Sequence, residues 1–318
     1  MRVGIAALAK LCLSVALAWY ALSRVDFFGV AARLPLLEGG WAGASLGLVL
    51  AQFGLASLRY RRLLAVAGRP LPFRVTFNTI IIGAFFSQTL ASFIGGDAVR
   101  AWRVVKEGVP VSVAIASVVL DRVFGFIGLT AFIVAGLPIF FGVVQEPLTR
   151  WALVALIAGV AAASVFLWHA GSAPAGLRRF RVVAALAGLG EHWRAQLSAP
   201  GTALSLVGIS TVIQALNVLT VYAAARSLGV TLDLGICMAL LPPVLLLAML
   251  PISFAGWGIR ESAMLIALGL VGIPALESVA ISVCYGLAVL AASAPGGIIW
   301  LWDRRALSSR RGRDGSSA

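Results

Sequence analysis

Six charged side chains stand in otherwise apolar sequence: Asp97, Arg100, Asp121, Arg122, Arg260 and Glu261. Four of them belong to two stretches that echo each other. Ser92-Phe93-Ile94-Gly95-Gly96-Asp97-Ala98-Val99-Arg100 is answered by Ser253-Phe254-Ala255-Gly256-Trp257-Gly258-Ile259-Arg260-Glu261. Each reads Ser-Phe-x-Gly, then a second glycine, then a charged pair. Charges within a bilayer are costly and mark substrate or ion pathways. Glycines interrupt helices, and irregular backbone at membrane depth is tolerated where it is buried in protein or lines a polar cavity. Paired broken segments in two halves of a chain point to a substrate site at a repeat interface. The chemistry is anion recognition, because the planar guanidinium fork matches phosphate bidentately. Arg100, Arg103, Arg122 and Arg260 could cradle a phospholipid headgroup, and broken helices can aim backbone N–H groups at the same anion.

Asp121 and Arg122 lie about nine residues into the expected span 112–141, roughly 14 Å deep at the helical rise. Adjacent helix residues point about 100° apart, so each needs a partner elsewhere. The expected network joins Asp121 to Arg100 or Arg260, and Arg122 to Asp97 or Glu261. The alternative is a set of buried pairs that only lock helix packing. Gln88 and Ser253 either hydrogen-bond a headgroup or satisfy freed backbone. Trp257, between Gly256 and Gly258, reads as an aromatic lid or an interfacial anchor. The candidate substrate-binding set is therefore Gln88, Gly95, Gly96, Asp97, Arg100, Arg103, Asp121, Arg122, Ser253, Gly256, Trp257, Gly258, Arg260 and Glu261.

The elements that position these groups follow from composition. The chain is 61% hydrophobic and only 12% charged, with a mean hydropathy of +1.00, whereas soluble domains carry about a quarter charged residues. The expected fold is all-α, a polytopic transmembrane bundle of about eight spans plus re-entrant or broken segments, with an internal repeat. Each span needs about 20 apolar residues, and the expected spans are 4–22, 41–58, 112–141, 151–168, 203–225, 235–250, 261–273 and 276–301. Residues 1–307 form one integral membrane domain, and 308–318 a disordered basic tail. Residues 1–23 read as an uncleaved first span rather than a signal peptide.

Arginine-rich connections face the cytoplasm. Arg59, Arg61, Arg62, Arg69 and Arg74 follow the second expected span, Arg178, Arg179, Arg181 and Arg194 fall in 169–202, and five arginines end the chain. This places both termini inside an inner (plasma) membrane. Arg103 and Lys106 fall on the same side as the arginines before residue 75. Segment 76–99 is therefore expected to enter and leave on one side, as a re-entrant hairpin breaking near Gln88–Gly96. Segment 235–273 is expected to descend, break at Pro251–Gly258 and return.

The net charge of +13 sits in loops and the tail, which reads as topology and lipid contact rather than nucleic-acid binding. Cys12, Cys237 and Cys284 lie in apolar segments without metal-ligand spacing. No phosphate-binding Gly-x-x-x-x-Gly-Lys loop and no His/Cys cluster occur, so no cofactor and no enzymatic activity are expected.

The run Gln88-x6-Gly95-Gly96-Asp97-Ala98-x-Arg100-Ala101-x-Arg103, the later Asp121-Arg122, and Pro251-x-Ser253-x-x-Gly256-Trp257-Gly258-x-Arg260-Glu261 resemble the lysylphosphatidylglycerol synthase transmembrane family. That family includes the flippase half of the multiple peptide resistance factor. The likeness covers roughly 5–305, with Leu90-Ala91-Ser92 where Leu-Pro is the family pattern. It implies lipid translocation between leaflets. Only eleven residues follow Leu307, so the expectation is a chain that moves lipid without making the aminoacyl lipid. Stand-alone members are associated with hopanoid or polyprenyl-linked glycolipid pathways, so the cargo stays open. Two rival classes remain: a membrane-embedded glycosyl or phosphoryl transferase using Asp97 or Asp121, and a non-catalytic partner of a lipid-modifying enzyme. The expected partners are membrane lipids with an anionic or lipid-linked headgroup. The oligomeric state is not legible in the sequence.

Overall fold

Where no water reaches the backbone, an apolar run satisfies its own N–H and C=O groups as a helix. The computed structural model describes residues 37–89, 93–198, 200–249 and 258–314, and these form helices with no strand among them. The helices are α1 (Gly39–Val66), α2 (Phe73–Thr89), α3 (Phe93–Lys106), α4 (Val111–Val143) and α5 (Pro147–Ala170). They continue as α6 (Arg181–Leu197), α7 (Pro200–Ser227), α8 (Leu234–Met249), α9 (Ile259–Gly269) and α10 (Ala275–Asp314). The expected span 4–22 lies outside the described residues. α10 runs past Ser308, where the tail was expected to begin.

Five helices, α1, α4, α5, α7 and α10, are long and apolar enough to cross a membrane. The chain is thus a multi-pass, all-α membrane protein, with fewer full-length described spans than the eight expected. One expected span, 4–22, lies outside the described residues, and two others fall short in length. The expected spans 235–250 and 261–273 become α8 and α9, of 16 and 11 residues, roughly 24 and 17 Å long at the helical rise. Neither matches a hydrocarbon core of about 30 Å. The same holds for α2 and α3, of 17 and 14 residues. Of the first motif, Phe93–Arg100 lies inside α3, so Gly95 and Gly96 are helical rather than the irregular backbone expected there. The helix is carried through them by the close packing of Gly96 on α2. The expected break at Pro251–Gly258 lies, up to residue 257, outside the described residues. A long helix follows each pair of short ones.

α2 and α3 fold back on each other. A side chain at Gly83 would collide with Arg100, and one at Gly96 with Ser87 and the Gly83 carbonyl. Only glycine permits this approach, and the pairing of 83 with 100 and of 87 with 96 makes the two helices antiparallel. This is the hairpin expected for 76–99. α1 and α3 both end on a left-handed glycine, Gly68 (φ 72°) and Gly108 (φ 86°). In each case the following N–H reaches back to satisfy a final-turn carbonyl: Arg69 to Leu64 and Val109 to Val104.

The arginine-rich connections gather at one face. The short loops after α1 and α3 lie there, Gln196 of α6 donates to the Leu63 carbonyl at 3.1 Å, and Arg103 pairs with Asp303 near the end of α10. At the opposite face the Glu38 N–H donates to the Ser227 carbonyl at 2.9 Å, so α1 and α7 run antiparallel.

Two apolar cores hold the bundle. Tyr60, Leu63, Leu64, Ile80, Val104, Val118, Phe124, Trp193 and Leu206 form the core around α1 to α4. Leu129, Ile133, Phe140, Val218, Leu241, Val244 and Met264 form the second, among α4, α7, α8 and α9. α4 and α7 contribute to both, and they touch where Gly128 lies against Ser210 and the Thr211 backbone.

Candidate functional site

The charges expected to meet do so beside the first core. Asp121, buried on α4, accepts from the Arg59 Nε on Oδ1 and from the Arg100 Nη2 on Oδ2, both at 2.7 Å. The Arg59 Nη1 also donates to Ser210 Oγ on α7 at 2.9 Å, and the Arg100 guanidinium lies 4.6 Å from the centre of the Tyr60 ring. Asp97, five residues into α3, bridges Arg100 Nη1 at 3.4 Å and Arg122 Nε. Asp121 and Arg122 thus take separate partners, as their 100° divergence requires. Of the two partners expected for each, Arg100 and Asp97 are the ones realised.

These five side chains line a cavity of about 240 Å³, together with Gln52, Ile80, Gly83, Ser87, Gly125 and Ile213. Three arginines against two aspartates leave it with a charge of +1. It lies about 15 Å along α4 from Val111, toward the arginine-rich face. A hydrogen-bonded ion-pair set in such a place is stable only because every carboxylate oxygen there meets a guanidinium.

Arg59 is the residue that the sequence reading placed wrongly, in a loop after a span ending at 58. α1 continues to Val66 because Tyr60, Leu63 and Leu64 are all fully buried. A signal was present: Ser45, Gln52 and Arg59 recur every seven residues, which puts three polar groups on one helix face. All three are buried, and Gln52 donates to Thr220 Oγ1 at 2.8 Å.

Among the described residues of the second motif, Gly258, Arg260 and Glu261 build their own cluster and are not part of the lining of this cavity. The Arg260 Nη2 donates to Glu261 Oε1 at 2.7 Å, and the Arg260 Nε donates to Ser282 Oγ at 3.0 Å. Glu261 Oε2 accepts the Gly258 N–H at 2.5 Å, which caps the start of α9. Arg260 also lies over Tyr285, whose hydroxyl donates to Asn217 Oδ1 at 3.1 Å. Asn217 donates to Gln214 Oε1 at 3.0 Å, and Gln214 Nε2 reaches toward the Gly125 carbonyl at 3.5 Å. This polar thread runs from the second motif through α10 and α7 to Gly125 on α4, in the wall of the cavity.

The remaining candidates scatter. Arg103 is taken by Asp303, Gly95 is half-buried beside Gly96, and Gln88 has a buried Oε1 without a hydrogen-bond partner in the described residues. Ser253, Gly256 and Trp257 lie outside the described residues. No group of three His, Cys, Asp or Glu side chains that could hold a metal gathers among the described residues.

The family description "Lysylphosphatidylglycerol synthase TM region" matches residues 7–296. Comparison with curated proteins finds no match. The chain belongs to the lysylphosphatidylglycerol synthase transmembrane family, a membrane domain associated with lipid handling.

Proposed function

We propose that this family member is a lipid transporter of the flippase kind, which takes an anionic phospholipid or lipid-linked headgroup into the cavity between α1, α2, α3 and α4. One observation carries the reading: Arg59, Arg100 and Arg122 converge on a cavity of about 240 Å³ inside an apolar bundle. Arginine suits this role because its fork matches phosphate oxygens and it keeps its charge at depth. The acyl chains remain in the bilayer, and the acids hold the arginines when no lipid is bound. Cargo then exchanges one ion-pair pattern for another, which gives two states of similar energy. No covalent chemistry is needed, and the protein acts without a cofactor. It sits in the inner membrane with both termini cytoplasmic, so the cavity loads from the cytoplasmic leaflet.

Native mass spectrometry of the purified protein, wild type beside Arg100→Ala, tests the capture step. A defined anionic lipid in the wild type that is lost in the variant supports it. Equal bulk lipid in both samples removes it and favours the reading as a non-catalytic partner of a lipid-modifying enzyme. Lipid scrambling in proteoliposomes then tests translocation itself.

A further inference from the structure

The two acids of the cavity are not held equally. Asp121 accepts 2.7 Å hydrogen bonds from two arginines, and only 4% of the residue is exposed. The Asp97 side chain is 18% exposed, and its Oδ1 stands 3.4 Å from Arg100 Nη1. It sits in the second turn of α3, close behind the hairpin break, and its two oxygens bridge the guanidinium groups of Arg100 and Arg122. Two guanidinium groups sharing a two-oxygen anion is also how arginines hold a phosphate. A further donor is unserved: Arg100 Nε is buried without a hydrogen-bond partner, in a residue only 8% exposed that lines the same cavity. A buried donor of this kind marks a place where an acceptor is missing.

We infer that Asp97 is a tethered stand-in for the phosphate of the ligand, and that this ligand ends in a doubly charged phosphate, a phosphomonoester or diphosphate, rather than a phosphodiester. The inference rests on the headgroup reading above and names its substrate class. Asp121 stays as a fixed part of the wall, while Asp97 swings away on its short helix. Arg59, Arg100 and Arg122 against Asp121 alone leave a charge of +2. A phosphomonoester carries about −1.5 to −2 near neutral pH and offers three strong acceptor oxygens, which balances that charge. A phosphodiester carries a single charge, as Asp97 does, and leaves the cavity at the +1 it has at rest. The doubly charged terminus brings it to neutrality and has a third oxygen for the unserved Arg100 Nε. A phosphate terminus could belong to a lipid or to a free anion, and the test separates the two.

The full chain is incubated at pH 8 with equal amounts of phosphatidic acid and phosphatidylglycerol of identical acyl chains, and the retained lipids are weighed by native mass spectrometry. Wild type retains phosphatidic acid over phosphatidylglycerol by about tenfold, since one more charge is matched inside the bundle. Asp97→Asn, which keeps the shape and removes the competing charge, raises phosphatidic acid retention further, and Arg122→Ala abolishes the preference. Equal retention of both lipids by the wild type, lost in Arg122→Ala, overturns the doubly charged assignment and leaves the headgroup reading standing. Retention of neither lipid above the Arg122→Ala level overturns both. Displacement by excess inorganic phosphate supports recognition of the terminal phosphate from either source, and failure to displace supports it for a lipid alone. The wild-type ratio needs no variant, so the test stands even if Asp97→Asn folds poorly.

Discussion

Arg59 and Asp121 meet at 2.7 Å although 62 positions separate them in the chain. Arg59 reaches α4 and α7 together, through Asp121 on one and Ser210 on the other. One side chain therefore stitches three helices at the wall of the cavity, and the geometry of the site depends on all three.

Removing Asp121 leaves Arg59 and Arg100 buried without its counter-charge. Asp121→Ala is expected to cost about 3–5 kcal/mol, the usual penalty for breaking a buried pair from one side. Asp97→Asn is expected to cost less, about 1–3 kcal/mol, because the site is less enclosed and the amide oxygen still accepts a hydrogen bond from one guanidinium. Thermal unfolding in detergent compares the two, and equal losses contradict the division between a fixed and an exchangeable acid.

Lysine cannot replace arginine at position 59. Its single ammonium lacks the fork that serves Asp121 and Ser210 at once. Arg59→Lys is expected to lower stability by about 1–3 kcal/mol and to reduce lipid retention, read by the melt and by native mass spectrometry. Wild-type behaviour in both measurements removes Arg59 from the site.

The hairpin depends on contact between glycines. Gly96→Val drives a side chain into Ser87 and the Gly83 carbonyl, and overpacking of this kind costs about 1–3 kcal/mol or more. Ser87→Ala does not rescue it, because the Gly83 backbone remains in the way. Folded yield after solubilisation reads the effect, and full rescue by Ser87→Ala shows that the Gly83 contact is unimportant.

The second motif is expected to govern folding rather than capture. Glu261→Ala leaves Arg260 buried without its nearest carboxylate and costs about 3–5 kcal/mol. Tyr285→Phe loses one hydrogen bond to Asn217 and costs about 1 kcal/mol. Neither change alters the ratio of lipids retained by the protein that does fold. A changed ratio in Tyr285→Phe, at unchanged stability, places the polar thread through Asn217 and Gln214 in the transport cycle.

Single cysteines in a cysteine-free background test the orientation. Arg69→Cys and Glu146→Cys occupy exposed positions in loops at opposite faces. A membrane-impermeant thiol reagent applied outside intact cells is expected to label position 146 and leave position 69 unlabelled until the cells are opened. The reverse pattern inverts the protein and moves the cavity to the outer leaflet.

Hydropathy, readable from the sequence alone, determined the helical class and the charges that lie at depth, because lipid permits no other use of such runs. The glycines of the first motif serve helix contact inside α3 rather than interrupting it. The sequence also marked the α2–α3 hairpin, since its flanking charges cannot cross the bilayer cheaply. Arg59 lay in plain sight on a Ser45–Gln52–Arg59 face and was hidden only by the rule that assigns clustered arginines to loops. The length of α1 overrides that rule, because Tyr60, Leu63 and Leu64 need a core to fill. Helical periodicity fixes the face on which a residue lies, but not the helix that comes to cover that face. Tertiary packing alone decided that Asp121 serves Arg59 and Arg100, that Asp97 bridges to Arg122, and that Arg260 stays with the adjacent Glu261. Ion pairs act over a few ångströms, so the partners are chosen only once close contacts such as Gly83 on Gly96 and Gly128 on Ser210 have set which helices touch.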